Sequence, residues 1–328
     1  MSKKYLWIGM FASDDKFQKM AHKGYAQSSA QTSQKNLITG LEFNLKTGID
    51  TLNAFVLPSY PQYQEKRIKS YSWSHKEGAT DFSVGFYNVK YYCHISRTMN
   101  LKKAARQWAN RNKENEVVVF VYMMHSPFMN AANEIKKIVP SGKIFLIVTD
   151  LPQYMDLDMN VIKKCLKIID WQVIKKLERC IDGYILYTKH MAEFLHLADK
   201  KWIVMEGTIN ENDIVDAFIV NSEKETVSIM YSGVIDKRYG IVELLEAFSR
   251  IEDSNYELWL TGSGNAVSFV EENAKIDNRI NTFWILTISR RCFAEATTGD
   301  DAYKHKITFR RCLFILLPFQ NTGVYGLR

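Results

Sequence analysis

Short apolar runs alternate with longer amphipathic stretches from the start of the chain to Asn281. The runs KYLWIGMF (4–11), TLNAFVL (51–57), YYCHIS (91–96), VVVFVYM (117–123), KIFLIVT (143–149), GYILYT (183–188) and WIVME (202–206) have the length and composition of buried strands. Between them SSAQTSQKNLITGLEF (28–43), LKKAARQWANR (101–111), PFMNAANEIKKI (127–138) and NVIKKCLKIIDWQVIKKLERC (160–180) carry helical spacing. In the last of these, Ile162, Cys165, Leu166, Ile169, Val173, Leu177 and Cys180 recur every three or four residues, which predicts a buried stripe with lysines opposite. Strand–helix alternation of this kind predicts an α/β fold with a mostly parallel sheet covered on both faces.

Around 210–226 the pattern loosens into polar residues and then restarts. VSIMYSG (227–233) and YELWLTG (256–262) read as strands, and GIVELLEAFSRI (240–251) and NAVSFVEENAK (265–275) as helices. The expected organisation is a first domain over 1–212, a second beginning at 213 and running to 281, and a final stretch, 282–328, in which no period survives.

Composition narrows the function classes. With 46% apolar and 24% charged residues the chain is globular. The N-terminal YLWIGMFA run stops at Asp14-Asp15 and lacks a small-residue cleavage site, so it is read as a first strand rather than a leader. No stretch reaches the ~18 apolar residues of a membrane span. Five cysteines without CxxC pairing suit a reducing cytosol, and seven unclustered histidines give no support to a metal site. Of the net charge of +7, +4 falls after Trp284, leaving about +3 on the rest, which is no nucleic-acid footprint.

The most informative stretch is YSGVIDKRYGIVELLEAF (231–248). A strand ends at Ser232-Gly233, a loop carries Lys237 and Arg238, and a helix begins at Gly240. Ligands of open parallel sheets bind at the carboxyl ends of strands, and a helix N-terminus there attracts anions. Two cations beside it would suit a diphosphate; the bland alternative is a solvated turn. LWLTGSGN (258–265) places Gly262 and Gly264 in a second such turn, where they either let a ligand approach the backbone or simply make the turn tight.

These segments, with VYMMHSPF, IVTDLPQYM, IDGYILYTKHM and IVMEGTIN, resemble the GT-B glycosyltransferases, particularly family 4-like bacterial enzymes of capsular and exopolysaccharide synthesis. The resemblance spans residues 1 to about 281. It implies two Rossmann-like domains, the second incomplete, with a nucleotide-sugar donor on the second and a saccharide or lipid-linked saccharide acceptor on the first. It implies no metal or other cofactor, no nucleic-acid partner, and a cytoplasmic protein, either free or in peripheral contact with the inner face of the plasma membrane. Ser232-Gly233 stands where the family has a Gly-Arg pair, so Gly233, Lys237, Arg238, Gly262 and Gly264 are the donor candidates. His125, Asp150 and Glu206-Gly207 follow predicted strands of the first domain; each is either a turn residue or part of the cleft, with His125 and Asp150 beside the transferred sugar. Met123, Met124, Phe128 and Met129 read as core. GYAQSSAQTSQKN (24–36) is either an acceptor contact or a mobile connection. A non-catalytic module that binds an acceptor or partner is the competing reading. A nicotinamide enzyme is disfavoured because no GxGxxG follows the first strand.

The ending ILLPFQNTGVYGLR (315–328) fits neither strand nor helix. Shifted by one base, codons for these fourteen residues can encode Tyr-Ser-Phe-Pro-Ser-Lys-Thr-Leu-Glu-Tyr-Met-Ala-Ser-Gly, the signature the resembled family carries at this point. The expectation is an out-of-frame stretch that begins between Asn281 and Trp284. It would put Gly323 over the glutamate that, in the family, binds the nucleotide ribose, and it would impair transfer.

Overall fold

A computed structural model describes residues 2–22, 27–152, 161–208, 227–283 and 312–314. The chain divides into two compact units, Met1–Asn210 and Glu211–Arg328.

In the first unit the apolar runs become the strands β1 (Lys3–Gly9), β2 (Asp50–Asn53), β7 (Glu116–Tyr122), β8 (Lys143–Val148), β9 (Gly183–Leu186) and β10 (Trp202–Val204). The segment between β2 and β7 adds β3 (Arg67–Ile68), β4 (Tyr71–Trp73), β5 (Asp81–Ser83) and β6 (Phe86–Tyr87), which are too short to show a period in sequence. One eight-stranded sheet has the order β10-β9-β8-β7-β1-β2-β5-β4, parallel except at β4–β5. β1 lies at its centre, pairing with β2 on one side and β7 on the other, so the direction of winding reverses there. Such a reversal opens a crevice at the carboxyl ends of the strands.

Helices α1 (Asp14–His22), α2 (Ser28–Leu45), α3 (Tyr92–Arg111), α4 (Ser126–Ile138), α5 (Val161–Leu177) and α6 (Lys189–Phe194) complete the described part of this unit. The main core joins Leu6, Ile8, Val119, Val121, Phe128 and Leu146. These central strands are buried on both faces, which is why their sequences read as unbroken apolar runs.

Three expectations are corrected. YYCHIS, expected as a strand, contains the first turn of α3; the positions that decide are Arg97, Leu101, Ala105 and Trp108, a buried stripe at helical spacing that begins directly after that run. The stripe predicted on α5 is mostly exposed: Cys165, Leu166, Ile169 and Val173 face outward, and Ile174, Leu177 and Cys180 are the buried ones. Periodicity reveals amphipathy but not how much of a helix finds a partner, and only the second half of α5 enters the core. The polar stretch 24–36 belongs largely to α2, where Gln31 receives Ala12 N–H (3.1 Å) and Gln34 receives Met10 N–H (3.0 Å). Those amides fasten the end of β1; residues 23–26 lie outside the described residues.

The second unit repeats the plan with β11 (Val227–Val234), α7 (Ile241–Ser249), β12 (Tyr256–Ser263), α8 (Val267–Ile276), β13 (Ile280–Phe283) and β14 (Cys312–Phe314). Its parallel sheet has the order β13-β12-β11-β14, so winding again reverses at the first strand. Ile241, Leu245 and Phe248 give α7 one apolar face, which packs on Leu258 and Leu260 of β12. The sequence 315–328 lies outside the described residues.

Candidate functional site

In the second unit β11 continues through Ser232-Gly233 to Val234, and Lys237–Tyr239 form one 3-10 turn before α7. Gly240, at φ 79°, occupies the left-handed conformation that joins the turn to the helix. No side chain caps α7, so its first N–H groups are open to an anion. The buried Asp236 carboxylate accepts from Arg238 N–H (2.9 Å), Nε (3.0 Å) and a terminal guanidinium nitrogen (2.7 Å). The Arg238 bonds in turn hold the Asp236 carboxyl below the usual carboxylate range. Lys237 Nζ lies 4.7 Å from the Phe269 ring centroid. Asp236 therefore offsets one of the two cations; among the described residues Lys237 has no ion pair, and Glu243 places a carboxylate in the first turn of α7.

The glycines of the neighbouring turn have a different immediate cause. Gly233 and Gly262 are in register on adjacent strands, and a Cβ on Gly262 (φ 144°) would overlap the Gly233 carbonyl oxygen. A Cβ on Gly264 would overlap the carbonyl of Ile235. Close approach of β12 to the end of β11 thus requires both glycines before any ligand is considered.

In the first unit His125 follows β7 and Asp150 follows β8, on adjacent strands at the carboxyl edge. Glu206 and Gly207 follow β10 at the far margin of the sheet and are exposed, so the structure sets them three strands from His125. Burial raises the Asp150 carboxyl above its ordinary range. The His125 ring lies 4.8 Å from Phe128 and 5.8 Å from His94, and its Nδ1 is buried without a hydrogen-bond partner. Burial first, and then the charges of Arg97 and His94, hold its pKa well below 6.5, so the imidazole is neutral at physiological pH. Met123, two residues earlier, has φ 76°, and Tyr91, which precedes α3, has φ 66°. Left-handed backbone at non-glycine residues is strained and tends to collect at functional loops. Met124, Phe128 and Met129 are buried core.

Four residues that the sequence did not single out complete this edge: His94 and Arg97 of α3, Ser126 of α4 and Asp170 of α5. Ser126 Oγ–H donates to Asp170 Oδ1, and His94 Nε2 lies 3.0 Å from the same hydroxyl. Because the one Ser126 proton goes to Asp170, His94 must carry its proton on Nε2. Asp170 meets that same nitrogen at 3.5 Å, so it does not orient the ring from behind, and the trio is no nucleophilic triad. The available signal was Arg97 itself, a charge inside an otherwise apolar stripe.

No protein-family model matches the chain, and no curated protein matches it by sequence. Solved structures do. The lipopolysaccharide outer core galactosyltransferase WaaB in its apo form is similar at 12% identity and TM-score 0.56, over 90% of this chain and 71% of that one. The α,α-trehalose 6-phosphate synthase of Burkholderia multivorans is similar at 10% identity and TM-score 0.56, over 89% and 74%. The catalytic domain of starch synthase IV from Arabidopsis thaliana, bound to ADP and acarbose, is similar at 8% identity and TM-score 0.53, over 87% and 75%. At these identities the likeness is one of fold, and the fold is that of the GT-B glycosyltransferases: two Rossmann-like units in succession.

Proposed function

We propose that the chain derives from a glycosyltransferase that moves a sugar from a nucleotide-sugar donor to a saccharide acceptor in cell-surface polysaccharide synthesis, of the family 4-like type. The observation that carries the reading is the corner at the end of β11, where Lys237, Arg238 and the uncapped start of α7 meet at the carboxyl edge of a Rossmann-like sheet. A leaving nucleoside diphosphate needs charge stabilised at its phosphates more than it needs a strong base. Lys237 and the helix terminus supply that charge without a metal. Arg238, locked on Asp236, shapes the turn, and Gly262 and Gly264 bring the second loop alongside. Support comes also from starch synthase IV, a neighbour in fold whose structure holds ADP. His125 and Asp150 are assigned to the sugar and acceptor, with Glu206-Gly207 at the margin; the acceptor is a saccharide or a lipid-linked saccharide, and the second would bring the protein to the inner face of the membrane.

Residues from Trp284 onward are assigned to a shifted reading frame, on the fourteen-position agreement at 315–328. The pairing of Cys312–Phe314 with β11 is compatible with this, since an open parallel edge accepts short apolar segments. Transfer by this chain is then weak or absent, while the diphosphate corner is retained. Calorimetric titration of the full chain with UDP, GDP and ADP tests the reading. Saturable binding of one of them, weakened by Lys237→Met, is expected; a folded protein that binds none would refute it. Sequencing the gene tests the frame: an adjacent frame should continue the second unit after Asn281.

A further inference from the structure

Arg97 is the anomaly of the first unit. It occupies the buried stripe of α3, one turn before Leu101 and two before Ala105, yet it carries a guanidinium that is only 4% exposed. The guanidinium lies over the Phe86 ring, whose centroid is 4.5 Å from Cζ. Among the described residues it has no ion pair and no hydrogen bond, and its Nε is buried without a partner. Burial pushes its pKa down to about 10. A buried charge left uncompensated is among the costliest features a fold can hold, and ordinary packing would place leucine or methionine here.

Two imidazoles stand beside it. His94 precedes Arg97 by three residues and so shares its side of α3. The His94 ring is edge-on to that of His125, whose own Nδ1 is buried and unpartnered. His125 also precedes α4, where Pro127 has no N–H and the Phe128 and Met129 N–H groups donate to the His125 carbonyl (3.0 and 3.1 Å), which leaves the Ser126 N–H as the open donor of the first turn. Asp170 is engaged with Ser126 and His94, and the one side chain that offsets part of the Arg97 charge is Cys93, one turn earlier on α3. The cluster reaches solvent through His94, whose side chain is 43% exposed. Phe86 packs with Ala12 and Phe55, which follow β1 and β2, so the cluster lies at the carboxyl edge next to the winding reversal.

We propose that this cluster is an anion subsite that takes a phosphate group of the acceptor, held between the Arg97 guanidinium, His125 Nδ1 and the Ser126 N–H. Donors arriving from two helices and a loop suit a tetrahedral phosphate better than a planar carboxylate. The word acceptor rests on the sugar-transfer reading above; the anion subsite does not.

The test uses the full chain with inorganic phosphate, glucose 6-phosphate and glucose as probes, read by calorimetry and by the imidazole proton resonances of His94 and His125. Both phosphates should bind saturably and move those resonances, and glucose alone should not. Glucose 6-phosphate should bind more tightly than inorganic phosphate; the reverse order would overturn the assignment to an acceptor and leave a free-phosphate site. Arg97→Met should weaken phosphate binding at least about tenfold. Without phosphate it should melt no lower than the wild type, because it removes an unpaired charge. Arg97→Lys, which keeps the charge but not the fork, should fall between the two in affinity and guards against a folding defect. A folded wild type that binds no phosphate, or an Arg97→Met protein that binds it equally well, would overturn the proposal. Lys237→Met should leave the phosphate-induced movement of the His94 and His125 resonances intact while it weakens nucleotide binding. Failure at Arg97 and failure at Lys237 are therefore read separately.

Discussion

The buried polar clusters around His75 and around Arg97, both in the first unit, are built on opposite terms. Around His75 every charge has its partner. Nδ1 lies 2.8 Å from Asp81 and Nε2 lies 3.1 Å from Glu42, while Asp81 also accepts from Thr51 Oγ1 (2.6 Å) and Glu42 from Ile49 N–H (2.9 Å). Around Arg97 the one charge meets no carboxylate, and the neutral His125 leaves its Nδ1 unpartnered. The complete cluster lies near the amino ends of β2 and β5, and the incomplete one at the carboxyl edge of β7. Parallel α/β sheets bind ligands at the carboxyl edge and keep the other for stability. The difference teaches that a missing counter-charge marks a place for a ligand only where the topology also puts ligands; at the amino edge the fold supplies the counter-charge itself.

The contrast can be broken most forcefully at His75. Removing it with His75→Leu leaves two buried carboxylates facing each other and should cost about 3–5 kcal/mol of unfolding free energy, measured by urea denaturation. The opposite sign is expected for Arg97→Met, which should gain up to about 2 kcal/mol in ligand-free protein in the same assay. Loss of stability in that variant comparable to the His75 effect would erase the distinction between the clusters. At the second unit, Lys237→Met should weaken nucleoside diphosphate binding about tenfold, or ~1.4 kcal/mol, with unfolding unchanged.

The smallest effect is in pH dependence, and its sign separates the clusters again. Burial works against the His75 charge, but Asp81 and Glu42 outweigh it, so its pKa is raised above 6.5. That contribution is fully present below the unfolded value and is lost as pH rises through the folded one. His125 and His94 are lowered, chiefly by burial, so their contribution is present above about 6.5 and is lost as pH falls through their folded values. Thermal melts should therefore show an alkaline decline that His75→Gln flattens and an acid decline that His125→Gln flattens.

The paired central strands were legible because burial on both faces leaves unbroken apolar runs, as in VVVFVYM. Edge elements such as β4 and β5 were not, because two or three residues carry no period. YYCHIS misled because its aromatic and β-branched residues favour strands locally, whereas Arg97, Leu101 and Ala105 commit it to a helix through tertiary packing. The corner at Lys237 was visible as a strand, a basic loop and a helix start. What Asp236 does to Arg238 there was not, since a pair two residues apart says nothing of its geometry. The cluster at Arg97 was the least legible of all, for it joins positions 94, 97, 125 and 170, which only the fold brings together.

Hydrogen exchange of the full chain, with and without the nucleoside diphosphate that binds, tests the central claim most directly. Protection of amides from Val234 through Leu244, at the end of β11 and the start of α7, is the predicted result. Protection confined to the first unit, or none in a folded protein under saturating nucleotide, would contradict the assignment of the donor to this corner.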